Sequence, residues 1–505
     1  MSAFRWLPMV ALIAFPTLAP AQRTSIRELD AYVSRAVRDW NVSGIAISVV
    51  KDDSVVFAKG YGVRELGKPD AVDIGTRFAI GSTTKAMTAL ALGMLVDDGK
   101  VRWDAPVTTY LPTLQLADPY VTRELTVRDL LTHRAGLGNA DMLWAGGDFT
   151  MPEITRRIAT LPPAYSFRAG FIYQNIMYSL AGDVVAAASG MTWDDFLRTR
   201  IFLPLGMRET ETRLAHVADG TNVATPHDVI DGTMRVVRNR PVDPVAPAGS
   251  VWSSVRDMAK WMRFLLDSGR VDGRRLLSAA TFRELLTPQV VAPSTTYPTM
   301  TIVRPHFFTY GLGWFLHDYA GQAVAMHTGS IDGMSAIIGL LPDRNVGVVV
   351  LANSDHTEIR HALMYDVFDR FSGNPPRDWS ALLLRHYGEL REQAAAAQQR
   401  QEQQRTTGTT PSLPLDRYTG TYTHPTFGNV VMTLRADTLR LQLGGAQRAS
   451  LTHWHYDTFR ARWEEAGANP SLVIFAPDGM GSVATARVRG VTFTRVPEPR
   501  PAQNR

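Results

Sequence analysis

The sequence predicts an α+β (α/β) molecule: an antiparallel sheet flanked by helices and carrying a helical subdomain, followed by a small all-β, barrel-like C-terminal unit. Three patterns predict it. A helix and a hairpin open the chain over residues 24–58. Strand, turn and strand then alternate with short connections over residues 310–353, which implies antiparallel pairing. After Leu415 come closely spaced β-rich segments broken by turn residues such as Ala436-Asp437.

In chain order, Ile26, Leu29, Val33 and Val37 recur at helical spacing behind Thr24 and Ser25, either of which can cap the helix start. Residues 44–50 and 54–58 read as strands around Lys51-Asp52-Asp53. Residues 82–97 are a run of Ala, Leu and Met closed by Gly99, the strongest helix signal in the chain. The stretch from 100 to 245 is mainly helical, with segments at 127–133, 175–189 and 193–202 between Pro and Gly. Strands follow at 310–319, 323–328, 335–341 and 346–352, and a helix at 358–371 closes the unit. A polar helix rich in Gln and Arg and a Thr-Gly-Pro linker fill residues 376–414. Seven strands are expected beyond, at 418–422, 429–434, 438–443, 459–463, 472–475, 483–488 and 491–496.

At 505 residues the chain is too long for one core, so more than one domain is expected. With 45% hydrophobic and 20% charged residues it is neither disordered nor polytopic in a membrane. The net charge of +5 comes from scattered arginines, without a basic cluster of the kind nucleic acid requires. Residues 1–21 read as an export signal: Arg5, an apolar stretch, then Ala19-Pro20-Ala21 as a small-x-small cleavage site. The stretch holds Pro8 and Pro16 and is too short to span a bilayer, so a secreted or periplasmic protein without a stable membrane span is expected. With no cysteine, disulfides, thiol catalysis and thiolate metal sites are excluded.

A serine becomes a nucleophile only when a base removes its proton, and a lysine of lowered pKa can serve. Ser-x-x-Lys occurs twice. Ser48 and Lys51 lie on a strand, where an offset of three sends their side chains to opposite faces. Ser82 and Lys85 lie at a helix start, where the same offset puts them on one face. As a simple cap, Ser82 would put Lys85 at the third helical position, where a capping box wants Glu or Gln. A lysine there faces the positive end of the helix dipole, which favours the neutral amine.

Tyr173-Gln174-Asn175 precedes a helix, and His327-Thr328-Gly329 lies on a strand followed by Ser330. Together with Ser82-x-x-Lys85 and in this order, these elements resemble the serine β-lactamase and penicillin-binding-protein superfamily, in its class C, esterase and D-aminopeptidase branch. Residues 130–137, 204–207, 248–250, 310–314 and 351–353 are similar to that family as well, so the resemblance covers about residues 25 to 370. It implies the β-lactamase/DD-peptidase fold, with Ser82 as acylated nucleophile, Lys85 as its base and Tyr173 as a second proton-transfer group. Asn175 would bond substrate or Lys85, and the backbone N–H groups of Ser82 and Ser330, beside Gly329, would form the oxyanion hole. His327 stands where penicillin-recognising members usually carry the lysine of Lys-Thr-Gly; a neutral imidazole there weakens the case for recognising a substrate carboxylate.

The expected function is therefore an exported serine hydrolase acting on an ester, amide or peptide, with a small-molecule or peptide substrate and no nucleic-acid partner. The competing readings are a DD-carboxypeptidase or β-lactamase and a catalytically silent binding protein. No cofactor is implied, and homo-oligomers remain open. His133, among Leu130, Leu131 and Leu137, reads as a core histidine; His453 and His455 share a strand face without a third metal ligand. The expected division is a signal peptide (1–21), the hydrolase domain (22–375), helix and linker (376–414) and a C-terminal unit (415–505) similar to lipocalin-like appended domains.

Overall fold

A computed structural model describes residues 20–497 apart from 147–148, 218–219, 446 and 466. Most of the expected export segment, residues 1–19, lies outside the described residues. Among the described residues, no helix is long and apolar enough to cross a membrane.

The main sheet has eight strands: β1 (Gly44–Lys51), β2 (Ser54–Gly62), β3 (Val290–Val291), β4 (Phe308–Tyr310), β5 (Phe315–Tyr319), β6 (Gln322–Ile331), β7 (Met334–Leu341) and β8 (Val346–Ala352). Their order is β2-β1-β8-β7-β6-β5-β4-β3, and the six pairings from β2 through β4 as well as β4 with β3 are antiparallel. The central strands are apolar throughout because both faces are covered. On one face Ile45, Ile47, Val348 and Val350 meet α1 (Pro20–Asp39) through Leu29, Val33 and Val37. The same core takes in Phe368 of the helix α5 (Ile359–Ser372). On the other face Ala46, Ile338, Val349 and Leu351 join the core built on α2 (Thr84–Asp97), α3 (Asn175–Ser189) and α4 (Val255–Leu266).

Four local expectations are corrected. The strand expected at 310–319 is two strands, β4 and β5, because the chain reverses at Gly311-Leu312-Gly313, with Gly313 at φ +84°. The helix expected at 127–133 stops at Leu130 and the chain turns, with His133 at φ +59°. The polar helix α6 (Trp379–Gln403) is not wholly solvated: Trp379 and Leu383 at its start are fully buried in the hydrolase core. Finally, the C-terminal unit has eight strands where seven were expected, the additional one being Gln447–His455.

Those eight strands, Gly420–His424, Gly428–Arg435, Thr438–Leu443, Gln447–His455, Thr458–Trp463, Ser471–Pro477, Val483–Val488 and Val491–Arg495, close into an antiparallel barrel in simple sequential order. Alternate residues such as Val430, Met432, Leu439, Leu441, Phe459, Ala461 and Phe493 fill its own core. The preceding linker lies on the barrel: Ser412 bonds the Asp457 carboxylate and Arg405 donates to the Trp454 carbonyl. The architecture is the expected one, a sheet between helices with an appended all-β barrel.

Candidate active site

Ser82 sits in a single 3-10 turn, Gly81–Thr83, that runs into α2. No side chain caps α2, so the capping role open to Ser82 is not one it plays. The turn is pressed against β6. A Cβ on Gly329 would stand 1.9 Å from the Ile80 carbonyl oxygen and 3.0 Å from the Ser82 nitrogen, and one on Gly81 would stand 2.6 Å from the Ser330 nitrogen. Only glycines allow that approach, which sets the Ser82 nitrogen against Gly329 and the Ser330 nitrogen against Gly81.

Lys85 follows one turn along α2 and is 0% exposed. Its Nζ lies 3.1 Å from Ser82 Oγ, 2.8 Å from Asn175 Oδ1 and 2.9 Å from the Ala248 carbonyl oxygen. Burial holds the amine well below its ordinary pKa, opposed by the Asp141 carboxylate. A neutral amine has two hydrogens and one lone pair. Asn175 Oδ1 and the Ala248 carbonyl can only accept, so they take both hydrogens and the lone pair is left for the Ser82 hydroxyl. The amide orientation of Asn175 is set from behind, since its Nδ2 donates to Asp141 Oδ1 at 3.1 Å.

Tyr173 completes the cluster. Its ring lies under Lys85 Nζ at 4.6 Å and packs on His133 with centroids 4.2 Å apart. Burial pushes the phenol well above its ordinary value, and a side-chain hydrogen bond with Ser82 pulls the other way. His133 is fully buried, as its apolar neighbours implied, and its Nδ1 accepts the Gln174 N–H at 3.0 Å, so it holds the Tyr173-Gln174-Asn175 segment in place.

His327 lies beside the cluster, its ring centroid 6.3 Å from that of Tyr173, but is closed off from solvent. Its imidazole is 1% exposed, the Tyr310 hydroxyl lies 3.0 Å from Nε2, and Nδ1 lies 2.6 Å from the Thr328 carbonyl. A carbonyl only accepts, so the proton is on Nδ1 and Tyr310 donates to Nε2. Burial, reinforced by Lys85, lowers the ring to about 3, which leaves it neutral. Ser82, Lys85, Tyr173 and Asn175 are thus brought together, with Gly329 and Ser330 alongside and the buried, neutral His327 next to Tyr173.

The sequence reading missed Asp141 and Arg360, and placed Ala248 in a family-like segment without giving its carbonyl a role. Arg360 is buried and donates Nη1 to the Gly329 carbonyl at 2.7 Å and to Ser330 Oγ at 2.9 Å, its charge balanced by Glu358 at 2.9 Å. The Glu358-x-Arg360-His361 cluster of charged and polar residues at the start of α5 was the available signal for Arg360; Asp141 offered none, being far from Lys85 along the chain. Ser48 lies buried on β1 and Lys51 points its Nζ to the Arg344 carbonyl at 2.9 Å, so that pair is idle. His455 Nδ1 accepts the Thr406 N–H, and among the described residues no group of three potential ligands could hold a metal.

Comparison with known proteins agrees with this geometry. The beta-lactamase family profile matches residues 29–367, and a profile described as a domain of unknown function, DUF3471, matches residues 404–501. The chain is 29% identical over 500 residues to the unguisins hydrolase ungD of Aspergillus violaceofuscus, covering 90% of this chain and 86% of that one. It is 29% identical to penicillin-binding protein 4 of Amycolatopsis lactamdurans, over 62% of this chain and 82% of that one. Among solved structures, the octameric penicillin-binding protein homologue from Pyrococcus abyssi superposes with a TM-score of 0.59 at 21% identity, covering 93% of this chain and 100% of that one. With the matched profile spanning two thirds of the sequence and a Ser-Lys-Tyr cluster built around the buried Lys85, the chain belongs to the beta-lactamase family and is a serine hydrolase of that fold.

Proposed function

We propose that this hydrolase cleaves an ester, amide or peptide bond through an acyl-enzyme on Ser82, with Lys85 and Tyr173 moving the protons. The observation that carries the reading is the lone pair of a desolvated Lys85, left facing Ser82 Oγ once Asn175 and Ala248 have taken the amine's hydrogens. In acylation the Ser82 proton passes to Lys85 Nζ as Oγ bonds to the substrate carbonyl carbon. The oxyanion that forms accepts from the N–H groups of Ser82 and Ser330. Its collapse expels an alcohol or amine, which takes its proton from the Tyr173 hydroxyl; the Lys85 ammonium beside the Tyr173 ring gives up its proton to restore the phenol, leaving both groups as they began. Deacylation runs the same transfers backwards with water in place of the leaving group.

The neutral, buried His327 gives a substrate carboxylate no cation on β6, which favours esters, amides or peptides without an obligatory carboxylate. The similarity to an unguisins hydrolase supports hydrolysis as the class, and the signal-like residues 1–21 support action outside the cytoplasm. The similarity to penicillin-binding protein 4 keeps DD-carboxypeptidase and β-lactamase activity as the competing assignment. Intact-mass spectrometry after treatment with a fluorophosphonate, beside reporter-ester and cephalosporin assays, tests it. A single adduct on Ser82, lost in Ser82→Ala, with ester turnover above cephalosporin turnover is expected. Dominant cephalosporin turnover would favour the competitor, and a folded sample without any adduct would favour a binding protein.

A further inference from the structure

The barrel meets the hydrolase domain beside the segment that carries Asp141. In a sequential antiparallel barrel, the turns joining strands one and two, five and six, and seven and eight share one end. In the first of these turns, Phe427 packs against both the hydrolase core and the barrel core. Thr426 accepts from Arg157 Nη1 at 3.1 Å and lies 2.9 Å from the Thr160 hydroxyl. Met142, the residue after Asp141, packs against the barrel core, while Leu143 beside it is buried in the hydrolase core. The segment carrying Asp141 is therefore held between the two units.

The second turn supplies Glu465, and here one side chain gathers the site's parts. Arg240 Nη1 lies 3.2 Å from Glu465 Oε1 and 3.0 Å from the Ala145 carbonyl oxygen, and its Nη2 lies 2.7 Å from Asp332 Oδ2. Ala145 ends the short helix Met142–Ala145 that follows Asp141, and Asp332 lies in the β6–β7 turn next to the strand of Ser330. Arg240 itself lies on the segment that leads into Ala246–Gly249, the source of the Ala248 carbonyl bonded to Lys85. On the barrel side Glu465 is also held by Arg489 of the third turn, at 3.5 Å. One guanidinium thus joins the segments of Asp141, Ser330 and Ala248 to the barrel.

We propose that Arg240, gripped by Glu465, is a positioning residue that fixes the rim of the Ser82 cleft, and that the barrel end forms a wall of the cleft which selects substrates by bulk. The partners are partly exposed, with Arg240 at 37%, Glu465 at 34% and Asp332 at 48%, so the link acts by geometry rather than as a large store of stability. Cutting it releases the rim, which admits bulkier acyl groups while the Ser82–Lys85 chemistry remains in place.

The proposal rests on Ser82 being the nucleophile, and the controls keep the two claims apart. The full-length protein and its Arg240→Met, Glu465→Gln and doubly substituted forms would be assayed on para-nitrophenyl acetate and para-nitrophenyl pivalate, with thermal midpoints measured in parallel. The pivalate-to-acetate ratio of kcat/KM is expected to rise at least about fivefold in each single variant. The double variant should add little further, since both changes cut one link. Should Arg240→Met fail to fold, Glu465→Gln carries the test alone, because it leaves the bonds of Arg240 to Ala145 and Asp332 intact. A ratio within about twofold of the unsubstituted protein, or equal losses on both esters that follow the midpoint, overturns the proposal. Ester turnover that survives Ser82→Ala would instead overturn the proposed function.

Discussion

Lys85 is suited to the proposed role of base by its surroundings. Burial lowers its pKa, and the Asp141 carboxylate is the one charge that raises it again. A base works once it has lost its proton, so kcat/KM should climb with pH along a limb whose midpoint lies well below the ordinary lysine value of about 10.4. Asp141→Asn keeps an oxygen for Asn175 and Trp144 but deletes the charge, so the limb should move to lower pH; a limb that stays in place would show that Asp141 does not act on Lys85 electrostatically. Tyr173 has the opposite disposition, a phenol kept protonated by burial and ready to donate. Tyr173→Phe should lower kcat about 10²- to 10⁴-fold with little change in thermal midpoint, as expected for a proton-transfer group and not for a packing residue.

The elements place these groups through close backbone approach. The Gly81–Thr83 turn and β6 touch because positions 81 and 329 lack side chains, and the two N–H groups proposed as oxyanion donors come from those two elements. Gly329→Ala forces a Cβ against the backbone carbonyl of Ile80, which cannot swing aside as a side-chain end could. It should cost on the order of 3 kcal/mol in stability and, at temperatures where the variant is folded, slow acylation by 10²-fold or more, on the scale of about 10²–10³ for a lost oxyanion donor. Denaturant unfolding and single-turnover acylation measure the two effects separately. Arg360 reinforces the same strand from behind through the Gly329 carbonyl and Ser330 Oγ.

Across the whole molecule, buried neutral histidines couple stability to pH. His317 and His327 are each lowered to about 3 by burial, whereas in the unfolded chain a histidine titrates near 6.5. Below pH 6.5 the unfolded state therefore binds protons that the folded state refuses, so stability present above 6.5 is lost as the pH falls toward 3. Each such histidine contributes a slope approaching about 1.4 kcal/mol per pH unit within that window. His317→Leu should flatten the fall in stability between pH 6 and pH 4 by about that slope, whatever it does to the absolute value. Urea midpoints at a series of pH values would show it, and an unchanged slope would mean that His317 takes up its proton in the folded state.

The chain by itself determined whatever is local. Ser82-x-x-Lys85 at a helix start, the apolar runs of β1, β7 and β8 and the helix at Asn175–Ser189 are written in neighbouring residues, because a helix repeats every 3.6 residues and a doubly covered strand is apolar throughout. The strand Gln447–His455 is not among the seven expected, although His453 and His455 read as sharing a strand face, because its first inward positions carry Gln447 and Ala449 where large apolar side chains would signal a strand, and a bulge disturbs its alternation near His453. The division of β4 from β5 turned on a glycine at positive φ inside an apolar run that reads equally well as one strand. Only the tertiary structure decided which way Lys85 spends its hydrogens, because the acceptors on Asn175 and Ala248 lie 90 and 163 residues away along the chain. It also decided that His327 faces inward and that Arg240 meets the barrel, since strand register and domain contact arise from packing among distant segments, and no periodicity within one segment encodes them.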